Sequence, residues 1–461
     1  MIQMPKKSQD KYTQMTTAPI PGLVTRLAVP TIISMLVTAF YNMADTFFVG
    51  RIGTSASAAV GVVFSVMAII QACGFFFGHG SGNYISRALG AHDDGDAARM
   101  AATGFFCALI TGAVLAGAGI AFIRPLARML GSTETILPYA VDYMRVILIG
   151  APWMMASLVL NNQLRFQGSA FYSMIGIATG AVINIGLDPL LIFTFNLGIA
   201  GAAWATIISQ FVSFCLLLAG TRKGGNLRVR PKNFSPTPEY LMAIVNGGMP
   251  SLCRQGLNSV GTICLNVGAG IYGDAAIAAM SIVGRIVMFA NSCVIGFGQG
   301  FQPVCGFCYG AKKYDRVKQA FWFCVKTATV FLCCAAVIAY LAAPGLVAVF
   351  RKGDADVAAI GAAALRAQCF TFPLSAWIVM CNMMMQTIGK SVRASILAMA
   401  RQGLFFVPAV LILPRLFGLF GLEISQAVAD VITFAVAIPL QWSVFREMDA
   451  EMAVGAQNLQ N

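Results

Sequence analysis

The chain has 461 residues, of which 58% are hydrophobic and only 11% are charged. Soluble domains carry about a quarter charged residues, so a chain this apolar cannot cover a water-facing surface. Membrane spans of about 20 residues must therefore take up most of its length. The net charge is +13. Because the basic residues lie in short loops between apolar runs, they indicate membrane topology and argue against nucleic-acid binding.

The first half of the chain predicts a polar tail followed by six spans. The tail, residues 1–20, carries Lys6, Lys7 and Lys11 with no apolar stretch behind them, so we do not expect a cleavable signal peptide. Residues 21–220 form an N-terminal lobe. Its spans are predicted near 24–49, 56–82, 97–122, 137–160, 172–195 and 198–219.

The second half repeats this organisation after a polar linker at residues 221–240. The linker contains five basic residues and three prolines. A C-terminal lobe, residues 241–445, and a tail, residues 446–461, follow it. The lobe's spans are predicted near 242–270, 275–303, 320–348, 356–386, 395–413 and 422–444. Lys and Arg are about three times more frequent on the side of the tails and linker. This bias predicts a multi-pass protein of the inner (cytoplasmic) membrane with both termini in the cytoplasm.

The two halves are related by an internal duplication. When Pro30 is aligned with Pro250, nine features of the two halves coincide in nearly constant register, which we call the repeat alignment. They are Pro30 on Pro250, Gly53 on Gly273, Gly78 on Gly298, Gly80 on Gly300, Gly90-Ala91 on Gly310-Ala311, Arg145 on Arg366, Pro152 on Pro373, Asn161 on Asn382 and Gly168 on Gly389. Each half has an even number of spans, so both copies have the same orientation in the membrane. We therefore predict an all-α polytopic protein of twelve transmembrane helices, in two six-helix lobes related by a pseudo-two-fold axis along the membrane normal.

Two carboxylates lie inside predicted spans, where an ionisable side chain costs about 2.5–3.5 kcal/mol on insertion scales. Asp45, in the first span, continues a polar stripe that includes Asn42 and has Tyr41 beside it. Asp188, in the fifth span, has Asn184 one turn earlier on the same face. Pro189 follows Asp188 and should kink or open the helix there. Asp45 has an alternative interpretation as a partner of Arg51.

If they share a poorly hydrated cavity, the two carboxylates repel each other and titrate as a pair. Such a pair can hold a proton, or with Asn184 and a hydroxyl it can surround Na⁺ with oxygen atoms. Either ion would compete with a positively charged substrate, as an antiporter requires. The repeat alignment places Leu265 opposite Asp45 and Ala409 opposite Asp188, so the acidic site belongs to the N-terminal lobe alone.

Other candidate features are interpreted mainly as structural. Asp430 is either functional or paired with a base such as Arg401. We interpret Arg145, Arg254, Arg285 and Arg366 as structural pairs or snorkelling side chains. Methionines that include Met154 cluster in spans 4 and 10, where they pack or line an adaptable cavity. Cys305 and Cys308 are interpreted as buried thiols, and the sequence has no catalytic motif, so we expect neither an enzyme nor a cofactor.

Four segments together resemble the multidrug and toxic compound extrusion (MATE) family over residues 20–445, closest to the branch of DNA-damage-inducible and bacterial multidrug export proteins. They are YNMADTFFVGRIG, GSGNYISRALGA, NIGLDPLLIF and GIAGAAWAT. The resemblance implies export of organic cations in exchange for Na⁺ or H⁺. It also implies a cation site similar to Asp45, Asn184, Asp188 and Thr206. Tyr143 would lie near the cavity, and we add Tyr41, Asn42 and Met154 as candidate cavity residues.

The sequence departs from a second branch of the family, which has acidic residues in the C-terminal lobe. Span 7 instead has Arg254 and Gln255, so coupling should depend on the N-terminal lobe. The main alternative is a flippase for lipid-linked or polysaccharide substrates, which would need a strongly cationic cavity, for example if Arg254, Arg285 and Arg366 converge. A channel or a membrane enzyme fits the sequence less well. Each chain supplies both lobes, so we expect a monomer with no obligate protein partner.

Overall fold

The structure is a computed structural model that describes residues 6–52, 54–350 and 354–460, and within these ranges the regular secondary structure is all helical, joined by turns and by the irregular linker. Its α-helices are, in chain order, α1 (Lys6–Thr17), α2 (Ile20–Gly50), α3 (Thr54–Gly90), α4 (Asp94–Ala121), α5 (Ile123–Met129), α6 (Leu137–Phe166), α7 (Ala170–Pro189), α8 (Gly198–Gly220), α9 (Pro238–Gly270), α10 (Asp274–Gly310), α11 (Tyr314–Phe350), α12 (Ala355–Cys369), α13 (Phe372–Thr387), α14 (Ser391–Met399), α15 (Phe406–Phe417) and α16 (Leu419–Gln460). Two π-helical turns, Leu190–Thr194 after α7 and Ala400–Leu404 after α14, extend these helices.

Length and composition together account for ten or eleven membrane crossings in the described residues, and length alone adds a twelfth. Ten helical segments are each long and apolar enough to cross a membrane. The pair α12 and α13 passes the same test as one span bent by 56°. The remaining crossing is α9, whose 33 residues give it sufficient length. The prediction of an all-α membrane protein is therefore confirmed.

Several boundaries differ from those expected. The tenth span, predicted as continuous over 356–386, is broken between α12 and α13, where Pro373 occupies the first turn of α13. Proline has no N–H to donate to the carbonyl four residues earlier, and its ring would clash with that carbonyl, so α12 cannot continue as one regular helix through Pro373. Helix α16 runs past the expected boundary at 445, and the N-terminal tail contains α1. Residue 53, one of the repeat positions, lies outside the described residues.

The two lobes meet with two-fold geometry where α3 and α10 end. A Cβ atom on Gly90 would overlap the carbonyl oxygen of Phe307, and one on Gly310 would overlap that of Arg87. Arg87 and Phe307 are themselves equivalent positions in the repeat alignment. Only glycine allows two backbones to approach so closely. The duplicated glycines therefore lie on the axis that relates the lobes.

A buried polar network joins the lobes near the same end. Arg165 on α6 is fully buried and donates hydrogen bonds to Asn162 (2.6 Å) and, across the interface, to Gln299 on α10 (2.8 Å). His79 on α3 lies 3.3 Å from Arg165 and 3.1 Å from the Ser251 hydroxyl on α9. Because each of these groups is buried, the contacts hold the lobes in one register.

Helix α1 bridges the lobes at the end of the molecule that we call the linker face, which carries residues 91–93, 221–237 and 311–313. The Lys11 amine donates hydrogen bonds to Ser169 Oγ (2.8 Å) and Asn226 Oδ1 (2.7 Å) of the N-terminal half. On the other side, Lys313 reaches the carbonyl oxygen of Thr16 (3.3 Å). Burial lowers the pKa of Lys11 to about 8. The N-terminal segment from Lys6 onward is thus anchored to both lobes through α1.

Candidate functional site

Four helices of the N-terminal lobe bring the predicted cation-site residues to one place. Helix α7 packs against α2 and α8, and α8 also packs against α6. This arrangement places Asp45 of α2, Tyr143 of α6, Thr206 of α8, and both Asn184 and Asp188 of α7 in the space between them. The residues come from spans one, four, five and six, so only the folded lobe unites them.

The two carboxylates lie close enough to interact. Asp45 acts electrostatically on Asp188, and both act on the hydroxyl groups of Tyr41 and Tyr143. The Tyr143 hydroxyl also lies beside Thr206. Asp45 forms no ion pair within the described part of the chain, and Arg51 instead places its guanidinium 4.5 Å from the Phe47 ring centroid. Two acidic groups with no basic partner therefore face each other inside the lobe.

The same residues leave their buried polar atoms without hydrogen-bond partners. No hydrogen bond reaches either polar atom of the Asn184 amide or either oxygen of the Asp188 carboxylate. The same is true of Asp45 Oδ1, the Tyr143 hydroxyl and Thr206 Oγ1. A buried polar atom without a partner costs about 1–3 kcal/mol, and such atoms are rare in proteins. Five neighbouring residues with unpaired oxygens therefore indicate a site for a proton, a cation or water.

The backbone beside Asp188 is irregular, as the sequence predicts. Helix α7 ends at Pro189, and the chain continues as the π-helical turn Leu190–Thr194. Gly201 of α8 packs on this turn so closely that a Cβ would lie 2.7 Å from the carbonyl oxygen of Leu191. Proline lacks the N–H that a regular helix needs, so the turn opens directly after the carboxylate.

The other candidate cavity residues have different surroundings. Tyr41 is half-buried beside the carboxylates, whereas Asn42 is exposed on α2. Met154 is buried in the hydrophobic core of the N-terminal lobe, next to Gly150. This position is typical of a methionine that fills the hydrophobic core rather than one that lines a cavity.

A separate cavity of about 640 Å³ lies within the C-terminal lobe. Three arginines line it, namely Arg254, Arg285 and Arg401, together with Asp430. Arg401 Nε donates to Asp430 Oδ1 at 2.9 Å, which decides the open question about Asp430 in favour of a pair. Arg366 lies elsewhere, with its guanidinium 5.4 Å from the Tyr340 ring centroid. The sequence raised a convergence of Arg254, Arg285 and Arg366 as part of the flippase alternative; the structure brings the first two into one cavity, with Arg401 in place of Arg366.

All thirteen cysteines are free, and Cys305 and Cys308 are both buried. Within the described ranges no three His, Cys, Asp or Glu side chains form a cluster able to hold a metal ion.

A protein-family model described as MatE matches the chain twice, over residues 30–190 and residues 250–411. The chain belongs to the MatE family. The two matches start at Pro30 and Pro250, the same pair that opens the repeat alignment, so each lobe is one copy of the family's unit. The predicted family and the predicted duplication are both confirmed.

Known relatives cover nearly the whole of this MatE chain. The multidrug export protein MepA of Staphylococcus saprophyticus is 28% identical over 88% of this chain and 90% of its own length. An outward-facing multidrug resistance MATE transporter has a TM-score of 0.90 and 27% identity, covering 97% of this chain and all of the other. A MOP superfamily transporter from Pyrococcus furiosus has a TM-score of 0.89 and 26% identity over 97% of this chain and 99% of its own, and reversed polarity of its binding pocket is said to suggest a different function.

These matches establish the general function of this MatE protein. It is a multi-pass membrane transporter of a family of multidrug exporters that act on small molecules, and it is not an enzyme. The two-lobe fold predicted from the duplication is confirmed by the solved transporters.

Proposed function

We propose that this protein exports organic cations across the cytoplasmic membrane in exchange for H⁺ or Na⁺. The cluster of unpaired buried oxygens around Asp45 and Asp188 carries this proposal. A proton or Na⁺ suits a site made only of carboxylate, amide and hydroxyl oxygens. Asp45, Asn184, Asp188 and Thr206 would hold the ion, and Tyr143 would adjoin it.

Exchange follows from competition for the two negative charges. An organic cation and the coupling ion cannot both neutralise Asp45 and Asp188 in a space of low polarity, so binding of one favours release of the other. Alternating access then needs the lobes to open at opposite faces in turn. The positive charge of the linker face supports a cytoplasmic location of both termini, and the presence of both lobes in one chain supports a monomer.

The proposal is tested by replacing Asp188 with Asn, which removes the charge and keeps the shape. The purified protein is placed in proteoliposomes, and movement of a cationic dye is followed under a Na⁺ gradient and, separately, under a pH gradient. We expect wild-type protein to move the dye under one gradient and Asp188→Asn to move none. The matched control is Asp142→Asn, because Asp142 is exposed on α6. It should transport like wild type.

Normal dye movement by a well-folded Asp188→Asn protein would refute the proposed coupling site. No movement by the wild-type protein under either gradient would favour a second candidate, a flippase for lipid-linked or polysaccharide substrates. That candidate gains support from Arg254 and Arg285, which both line the C-terminal cavity, but Arg366 does not join them.

A further inference from the structure

Two arginines in the cavity of the C-terminal lobe lie at membrane depth without a counter-ion. Arg254 is the central residue of α9, equally distant from Pro238 and Gly270. Arg285 lies well inside α10, which begins at Asp274. At 1.5 Å per residue, these positions are about 16 to 24 Å from the nearer helix ends. Both arginines therefore lie well inside their helices, and no acidic side chain pairs with either of them in the described residues.

The charges around the cavity do not balance. Its lining contains three guanidinium groups and a single carboxylate. Arg401 and Asp430 neutralise each other at 2.9 Å, and Gln426 and Ser375 complete their hydrogen bonds. Within the described residues Arg254 and Arg285 have neither an ion pair nor a hydrogen bond. Arg254 also faces the buried Arg165, a like charge.

The internal repeat shows that these charges are not part of the shared architecture. The repeat alignment places Ser34 opposite Arg254 and Ser65 opposite Arg285. At the same time it places Leu265 opposite Asp45. The two lobes therefore have one backbone plan and opposite polarity, acidic in the first and basic in the second. Because the N-terminal copy has serine at both positions, the shared backbone plan does not itself require the two arginines.

The rest of the lining suits an amphipathic molecule with an oxyanion. Guanidinium groups present paired N–H donors that match carboxylate, sulfonate and phosphate oxygens. Amide side chains add further donors, and apolar side chains provide the remaining wall. Asn258 and Gln368 are among the amides, and Met280, Met383 and Phe406 are among the apolar residues. The volume of about 640 Å³ is within the range of pockets for drug-sized ligands.

We propose that the cavity of the C-terminal lobe binds the oxyanion group of an amphipathic organic molecule through Arg254 and Arg285. The substrate class of the transporter then includes organic anions and zwitterions in addition to cations. This inference extends the proposed function to a second site. Binding to it does not require ion coupling through Asp188.

The test compares two dyes that differ in one carboxyl group. Rhodamine 19 has a free carboxylate, and rhodamine 6G is its ethyl ester. Binding of each dye to the purified full-length protein in phosphatidylcholine nanodiscs is measured by fluorescence anisotropy. We expect the double variant Arg254→Gln/Arg285→Gln to bind rhodamine 19 about tenfold or more weakly, because it loses charge-assisted hydrogen bonds. Its affinity for rhodamine 6G should not change.

The controls separate this site from general effects and from the proposed coupling site. Arg415→Gln removes a positive charge from an exposed position of the same lobe and should leave both dyes unaffected. The measured quantity is the difference between the two dyes in binding, not transport, so loss of transport in Asp188→Asn has no bearing on the anion site. Unchanged rhodamine 19 binding in the double variant, or an equal loss for both dyes, would overturn the proposal.

A second arm of the experiment distinguishes a solute from a lipid as the occupant. The nanodiscs are prepared again with phosphatidylglycerol, whose phosphate has the same chemistry. Competition by this lipid in wild type but not in the double variant would support the anion site with a lipid as its occupant. Binding of rhodamine 19 that is independent of phosphatidylglycerol would support the same site with a soluble substrate.

Discussion

At the scale of single residues, Arg401 and Asp430 show how a charge inside this lobe is accommodated without a ligand. Asp430 accepts hydrogen bonds from Arg401 (2.9 Å) and Gln426 (3.1 Å), and its side chain is only 5% exposed. Arg401 also donates to Ser375 Oγ at 2.9 Å. Every charge in this group has an opposite charge. The same cavity leaves Arg254 and Arg285 without one, which is why we assign the two pairs different roles.

Removing one member of the Arg401–Asp430 pair should destabilise the protein more than removing both. Arg401→Met leaves a buried carboxylate with only Gln426 beside it, at a cost of about 3–5 kcal/mol. Adding Asp430→Leu removes that carboxylate and should restore much of the loss. Melting temperatures of the two single variants and the double variant in detergent check this. Single effects that simply add in the double variant would show that the pair has no mutual stabilisation.

At the scale of secondary structure, the polar composition of α1 did not predict that this segment forms a helix docked on both lobes. It is polar, yet it packs across the linker face and contacts both lobes through Lys11, Met15 and Thr16. In the docked state the Lys11 amine is largely removed from water, and its hydrogen-bond partners are a hydroxyl and an amide oxygen rather than a carboxylate. Because burial lowers the pKa of Lys11 to about 8, docking should respond to pH.

We expect α1 to dock more firmly as pH rises from 7 to 9. Below pH 8, Lys11 is charged whether docked or not, and burying the charge opposes docking. Between pH 8 and the ordinary lysine value of 10.5, docked Lys11 loses its proton first. The undocked state then binds more protons, so docking strengthens with pH. Hydrogen exchange of residues 6–17 in wild type and Lys11→Met at both pH values measures this. From pH 7 to pH 9, protection of this segment should increase in wild type relative to Lys11→Met. If the ratio of the two exchange rates, corrected for intrinsic exchange, is the same at both pH values, the expectation is contradicted.

At the scale of the whole molecule, the duplicated lobes touch through their own repeated glycines. Gly90 faces the backbone of α10, and Gly310 faces the backbone of α3 at the symmetry-related place. The buried network of Arg165, His79 and Gln299 crosses the interface in the same half of the molecule. Packed interfaces of this kind have a small number of discrete arrangements. These contacts hold the ends of α3 and α10 closed, and the alternating access that we propose would require them to break.

Gly310→Ala should open this closure. The new methyl group would overlap the carbonyl oxygen of Arg87, and the end of α10 must move away from α3. Alkylation of the buried Cys308 by a membrane-impermeant maleimide in nanodiscs, followed by mass spectrometry, should then be several times faster than in wild type. Gly284→Ala on the same helix is the control, because nothing lies within 4 Å of its Cβ. Gly284→Ala gains about 1 kcal/mol of helix propensity at an interior position without a new contact, so equal labelling rates in the two variants would exclude the packing explanation.

The sequence by itself determined the membrane spans, the duplication and the acidic residues of the N-terminal lobe. In a bilayer an apolar run of about 20 residues has few structures available to it, because every backbone polar group must be paired within the protein. A carboxylate such as Asp188 is conspicuous in such a run for the same reason. The kink after it was also predictable, because proline acts on its local backbone.

Only the tertiary structure decided which side chains meet. Two outcomes depend on the rotation and spacing of helices distant in the chain: Asp430 pairs with Arg401, and Arg254 and Arg285 line one cavity that Arg366 does not join. Helical periodicity assigns a residue to a face, but it does not say which helix that face contacts. The docking of α1 has the same origin, since its partners are separated from it by 158 and 215 residues. Long-range packing, which no local pattern encodes, therefore decided which charged side chains share a cavity and which form pairs.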